Sequence, residues 1–251
     1  SSCNWKWNVG LELQGTNADI ANYDNNKGVK GNFQAQDDIV ANQFFYFTRF
    51  SANISEKLTA EVAASLNYYK YKFSKDLPTP VGATERKFDP ELMPRFALSY
   101  QLSDKFAIRS SISRGYSPPT TAEVRASDNK INTNIEAETG WNYEAGFRLR
   151  DKSDRFWLDA SIFQYRLQSA IVRRVNADGT RQNGVETQAS YWLIAPGSKG
   201  VLSGLQVQNS FTLSKYFFRN YINGTSDYSG NRLTGTPRAV LISGLDFRFP
   251  K

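Results

Sequence analysis

Histidine is absent from the 251 residues, and cysteine occurs once, as Cys3. The first absence removes imidazole metal ligands and every His-based triad or general base. The second leaves no internal disulfide and no cysteine metal cluster. No apolar run approaches the ~20 residues that a membrane helix needs. No charged-then-apolar leader opens the chain, and no apolar stretch precedes Cys3 that would suit a lipidated cysteine. The sequence begins abruptly in strand-like text and stops at Pro250-Lys251 just past another such stretch, so both natural ends are expected to lie outside it. Paired carboxylates such as Asp37-Asp38 sit in polar text and read as solvated. With no credible catalytic set, no metal site and no cofactor expected, an enzyme is not the reading these residues support.

Aromatic residues are abundant, with 13 Tyr, 17 Phe and 5 Trp. They suit pleated surfaces and membrane–water boundaries. The formal charge of +7 points to an anionic partner or surface. Basic residues are nonetheless dispersed, and Arg173-Arg174 is the only adjacent basic pair in a strand-like segment. Nucleic acid is therefore not an expected partner.

Period-two alternation over long segments is the strongest signal. In residues 5–13, Trp5, Trp7, Val9, Leu11 and Leu13 share one face while Lys6, Asn8 and Glu12 share the other. A helical period scatters both sets, and only a strand sorts them. The pattern recurs through Phe44–Ile54, Leu58–Asn67, Leu92–Gln101, Phe106–Ile112, Trp141–Leu149, Phe156–Ile162, Val185–Leu193, Leu205–Leu213 and Ala239–Arg248. The last is less clean, because Val240 and Ile242 fall on its polar side. About ten strands and no helix are predicted. Most exceed the usual five or six residues; about ten residues at a tilt of ~40° rise ~25 Å, the height of an outer-membrane barrel's apolar band.

Predicted connections alternate in length. Short turns fall at 55–57, 103–104, 151–154 and 195–200; long loops fall at 15–41, 74–90, 116–138 and 216–237. The connection at 168–180 is intermediate, with 171–175 extending a strand and 176–179 as its tip. In a meander of hairpins this places every long loop on one side, as in outer-membrane barrels. A soluble sandwich has shorter strands and needs a core partner for its apolar face. Aromatic clusters at Phe44–Phe47, at Tyr68, Tyr69, Tyr71 and Phe73, and at Tyr216–Phe218 flank the long loops and are expected to form an interfacial girdle.

From residue 111 the chain reads SISRGYSPPTTAEVR and then NTNIEAETGWNYEAGFR. This resembles the C-terminal barrel region of TonB-dependent outer-membrane receptors, especially the ferric-siderophore type. The matching positions are Gly115, Tyr116, Pro118, Pro119, Thr120 and Glu123, then Asn134, Glu138, Asn142, Glu144 and Gly146. Ala137 stands where Pro is usual. Asn183-Gly184-Val185-Glu186, Thr236-Pro237-Arg238 with Gly244, and Gly10-Leu11-Glu12 with Asp19, Ile20 and Tyr23 extend the similarity over nearly the whole chain.

The resemblance implies an all-β fold, an antiparallel transmembrane β-barrel of meander hairpins, in which residues 1–251 supply about ten of 22 strands. It implies a plug domain and terminal strands outside this sequence, outer-membrane lipid and the TonB complex as partners, and import of a ferric siderophore or similar scarce nutrient. A passive porin and a soluble all-β carbohydrate-binding module are the alternatives. Arg49, Arg95, Arg109, Asn142, Glu144 and Arg148 are expected to face the lumen or plug, with the arginines more readily paired to wall carboxylates such as Glu61 and Glu144 than free to attract anionic chelates. Tyr23, Tyr116, Arg125 and Tyr228 in the long loops are candidate substrate contacts, since aromatics and arginine suit flat anionic ligands.

Overall fold

A computed structural model describes residues 4–77, 80–124, 132, 134–151, 153–172, 175–177 and 179–250. Its strands, in chain order, begin with β1 (Trp5–Asn26), β2 (Val29–Asn53), β3 (Leu58–Leu77), the short β4 (Val81–Lys87), β5 (Glu91–Ser103) and β6 (Phe106–Ser117). A single helical turn α1 (Thr121–Val124) follows, then β7 (Glu138–Arg150), β8 (Phe156–Gln168), the short β9 (Ala170–Val172) and β10 (Val175–Ala177), and β11 (Gly179–Ile194). The chain continues through β12 (Gly204–Asn220), the two-residue β13 (Ile222–Asn223) and β14 (Ser226–Asp227), and β15 (Ala239–Arg248). Ten long strands join in the order β1-β2-β3-β5-β6-β7-β8-β11-β12-β15, with β4 pairing β3. Every neighbour in this path is antiparallel. The fold is the antiparallel meander that alternation predicts.

Register explains why the alternation is so regular. Trp7 lies opposite Phe50, Phe50 opposite Val62, Val62 opposite Phe96, Phe96 opposite Ile112 and Ile112 opposite Tyr143. Further along, Ala145, Ile162, Val185, Leu213 and Ala239 form a second row. Apolar side chains thus meet apolar side chains across the whole sheet, the pairing that stabilises a pleated face. This face is open: Trp7 is 63% exposed, Leu11 66% and Leu13 74%. A contiguous apolar surface of this extent is far larger than a soluble protein leaves in water, and lipid is the medium that covers it.

Two predicted loops are corrected. Residues 15–41 are not a loop: β1 and β2 continue as one hairpin and turn only at Lys27-Gly28. Both turn residues have positive φ (54° and 92°), as a two-residue hairpin turn requires, and Asn25 Oδ1 accepts a hydrogen bond from Gly28 N. The alternation fades there because this stretch rises past the apolar band, where neither face needs to be hydrophobic. Ile171, Val172 and Val175 do not extend β8; they lie in β9 and β10, which pair antiparallel as a separate two-stranded sheet, and residues 173, 174 and 178 of that expectation lie outside the described residues. The long loops also hold ordered pieces that sequence periodicity did not give, namely β4, α1, β13 and β14.

The girdle expectation is half right. Phe44, Tyr46 and Tyr68 gather on the apolar face, with Phe44 and Tyr68 rings 5.8 Å apart. Tyr69 and Tyr71 instead point the other way and are buried, with Phe73 packed beside them. Phe218 is buried against Ala170 and Tyr221. Strand alternation forces this split, since consecutive residues cannot share a face.

The lipid-facing reading predicts a depth-dependent penalty. Val62→Arg, near the middle of the apolar band, should destabilise the folded barrel by about 2–4 kcal/mol in bilayers, whereas Gln188→Arg on the opposite face, beside Asp159, should cost less than about 1 kcal/mol. Denaturant titration in lipid vesicles measures both.

Candidate functional site

The polar face carries a lattice of ion pairs. Glu61 on β3 binds Arg49 on β2 (Nη2 to Oε2, 2.6 Å) and Arg95 on β5 (Nε to Oε1, 3.2 Å). Asp159 on β8 binds Arg109 on β6 (2.5 Å) and Arg148 on β7 (2.9 Å), and Glu144 lies 3.7 Å from Arg109. Four guanidinium groups meet three carboxylates, so the lattice is nearly neutral. Asn142 sits on the same face, opposite Ser113 and Tyr165. The structure thus gathers Arg49 and Arg95 around one acid, and Arg109, Glu144 and Arg148 around another.

Local geometry explains how Arg109 spans two strand positions to reach Asp159. Its neighbour across the β6–β7 ladder is Gly146. A Cβ at that glycine would stand 2.5 Å from the Ala160 carbonyl oxygen and 3.1 Å from Arg109 Cζ. The backbone clash makes this a glycine position, and its missing side chain gives the guanidinium room to cross β7. Asp159 was not among the sequence candidates, although its alternation parity with Ser161 assigns it to this face.

A second constellation lies beyond the girdle, under the β6–β7 connection. Tyr69 Oη donates to the Pro119 carbonyl (3.0 Å) and Tyr71 Oη to the Asn132 carbonyl (3.3 Å). Val124 and Ile135 from the connection are buried against both tyrosines, with Tyr116 and Phe88 packed beside them. Thr120 and Glu123 form a reciprocal capping box: Thr120 N donates to Glu123 Oε2 (2.8 Å) and Glu123 N to Thr120 Oγ1 (3.3 Å). The Pro-Pro-Thr-x-x-Glu motif therefore has a local purpose, which is to turn the chain back over the polar face. Burial pushes the Tyr69 hydroxyl up to about 12, so it stays a protonated donor to Pro119, and burial raises that of Tyr116 as well. The Thr-x-x-Glu spacing and the odd parity of Tyr69 and Tyr71 are the signals that lead to this clasp.

The four candidate ligand contacts have separate surroundings. Tyr23 lies near the tip of the β1–β2 hairpin, its ring 5.1 Å from Phe33 and 3.6 Å below Lys30 Nζ. Tyr116 is enclosed beneath the clasp, where its hydroxyl has no hydrogen-bond partner among the described residues. The Tyr228 ring lies 5.4 Å from that of Tyr221, tilted by 32°, in the β12–β15 connection. Arg125 lies outside the described residues.

A two-faced antiparallel wall, apolar outside and ion-paired inside, with all its long connections at one end, defines an outer-membrane β-barrel. The family described as TonB dependent receptor-like, beta-barrel matches residues 2–251, and the chain belongs to it and to the bacterial outer membrane. It is 24% identical over 167 residues to the pesticin receptor of Yersinia enterocolitica, covering 64% of this chain and 23% of that protein. Its fold is similar to the ferric yersiniabactin uptake receptor FyuA of Yersinia pestis (TM-score 0.69, 17% identity) and to the ferric citrate transporter FecA in unliganded form (TM-score 0.74, 15% identity). Each comparison covers 98% of this chain and 37% of the other. The chain therefore spans well under half the length of these relatives.

Two measurements test the clasp. Tyr69→Phe removes one hydrogen bond and should loosen residues 117–137 by about 1 kcal/mol, seen as faster amide exchange and earlier proteolysis there. At the base of the same connection, burial raises the Glu138 carboxyl above its usual range, opposed by a hydrogen bond from Ile171 N (2.6 Å). A raised acid pKa favours the protonated folded state, so this group's stabilisation is present at low pH and lost as pH rises through the carboxylate range. Glu138→Gln should flatten that dependence and protect the β7–β9 junction at neutral pH, as read by exchange at Ile171.

Proposed function

We propose that this chain forms the wall of an energised uptake receptor that imports a ferric siderophore or a chemically similar scarce nutrient. The family match across residues 2–251 carries the reading. It is supported by structural likeness to proteins named for ferric yersiniabactin uptake and ferric citrate transport. In this reading the chain contributes ten strands to a larger closed barrel, a plug domain from elsewhere in the protein fills the lumen, and the TonB complex supplies energy through that plug.

The polar lattice suits such a plug. Its charges are largely neutralised within the wall, which lowers the cost of drying the surface when a domain packs on it. Small side chains such as Ala63, Ala97, Ser99 and Ser111 lie between the arginines and leave room for another surface to approach. Substrate would be captured at the outer loops, where Tyr23 and Tyr228 remain partly exposed. Tyr116, enclosed beneath the clasp, is screened from that surface. A passive porin has no support in the comparisons, and a soluble carbohydrate-binding module would leave the apolar face uncovered.

The full-length receptor should fractionate with the outer membrane, rise in abundance under iron starvation and support uptake of radiolabelled ferric siderophore that stops when the proton gradient is collapsed. Uptake that persists without the gradient would overturn energised transport, and abundance indifferent to iron would redirect the substrate to another nutrient.

A further inference from the structure

The ladder between β5 and β6 stops short. Its outermost pair is Arg95 with Ser113, although β5 reaches outward to Glu91 and β6 to Ser117. Over the same height β5 stays paired to β3, as far as Glu91 opposite Asn67, and β6 stays paired to β7, as far as Ser117 opposite Glu138. Each strand thus keeps one neighbour and loses the other, which leaves a seam in the outer part of the wall. Arg114, at the base of this seam, lies one row outward from Ile112 and is followed across β7 and β8 by Trp141 and Arg166. Such a row belongs to the membrane boundary, where unpaired backbone groups can meet water.

Pro94 explains where the seam begins. Gln101 N donates to Lys57 O on the β3 side, so odd-numbered residues of β5 turn their backbone groups to β3 and even-numbered ones to β6. Pro94 is even-numbered, and the donor it lacks is the one that would bond β6. Proline suits a strand with neighbours on both sides only where a ladder ends. Two residues outward, the Leu92 carbonyl faces the same gap. It accepts a hydrogen bond from Arg114 Nη1 (3.2 Å), and that nitrogen also pairs with Glu91 Oε2 (2.8 Å). A side chain thus bridges the place where strand pairing is lost. The clasp supplies two further links from β3 to the chain beyond β6, through Tyr69 to the Pro119 carbonyl and Tyr71 to the Asn132 carbonyl.

We propose that Arg114 is a latch across this seam. Bound to Glu91 and Leu92, it holds the outer end of β6 and the clasp against β3 and β5; when it releases, that unit pivots about Ser113 and swings away from them. Three observations carry this. The pivot is where pairing with β5 ends, so a few backbone angles can absorb the motion. Arg114 and Glu91 are only half-buried, and an ion pair that water reaches is modest enough to open. The latched state also carries a cost, because the Tyr116 hydroxyl is enclosed there without a hydrogen-bond partner among the described residues and regains water when the unit swings. The latch is a property of the wall, and its test does not depend on what the receptor imports.

The test uses the full-length receptor in lipid nanodiscs, its native cysteines replaced and spin labels attached through Gly82→Cys on β4 and Ala122→Cys on the clasp, both exposed positions. Arg114→Gln and Glu91→Gln should each add a second, longer distance between the labels, and Arg114→Lys should keep most of the short one. A reference pair on one side of the seam, Asn17→Cys with Gly82→Cys, should not change. An unaltered distance between 82 and 122 in Arg114→Gln would overturn the latch, and equal broadening of the reference pair would overturn it by showing general loosening. The wild type supplies a second measurement that holds even if the variants do not fold. Amides of Leu92 and Tyr116 should exchange at least about tenfold faster than those of Phe96 and Ile112. Equal protection of all four would overturn the seam itself.

Discussion

Every backbone N–H and C=O inside a bilayer must be paired within the protein, because hydrocarbon offers no partner. The rest of this structure follows from that constraint. A sheet satisfies it only as an unbroken ladder, and the ten long strands form one, each hydrogen-bonded to the next. The ladder still leaves β1 and β15 as edges. Inside a membrane those edges need strand partners, which agrees with a chain spanning 37% of the solved receptors it matches.

Once the backbone is fixed as a ladder, side chains have only two destinations. One face takes lipid and the other takes charge, and the period of two makes the choice automatic at each residue. This is why a chain with unremarkable composition builds a membrane wall. Its hydrophobic residues amount to 40%, yet alternation sends them to a single side. On the other side, arginines are brought to carboxylates on adjacent strands or one strand further away. Gly146 shows how exacting that arrangement is, since a side chain there would clash with the Ala160 carbonyl and crowd the Arg109 guanidinium.

Much of this was legible in the sequence. The ten strands, the two faces and the segregation of long connections all follow from alternation and spacing. What was not legible lies past the lipid boundary, where both faces meet water or loops and hydrophobic contrast disappears. Residues 15–41 read as a loop because they are polar, although Lys27-Gly28 held a hairpin-turn signal. The burial of Tyr69 and Tyr71 was misassigned because a cluster of aromatics near a boundary suggests a girdle. Parity alone would have separated Tyr68 from Tyr69. The cap at Thr120 and the parity of the two tyrosines are local signals, but the docking of Val124 and Ile135 on them is long-range packing that no local pattern encodes.

The distribution of charge ties the two faces together. The polar-face lattice is close to balanced, so it accounts for little of the formal charge of +7. Much of the rest stands outside, in rows just past the apolar band where carboxylates are few. Balance inside suits the plug-facing role proposed for that surface, since unpaired charge would resist desolvation. Excess outside stands at the boundary of the apolar band, where long basic side chains reach water and need no partner in the wall. The same side-chain types therefore do opposite jobs on the two faces, and strand parity decides which job each one takes.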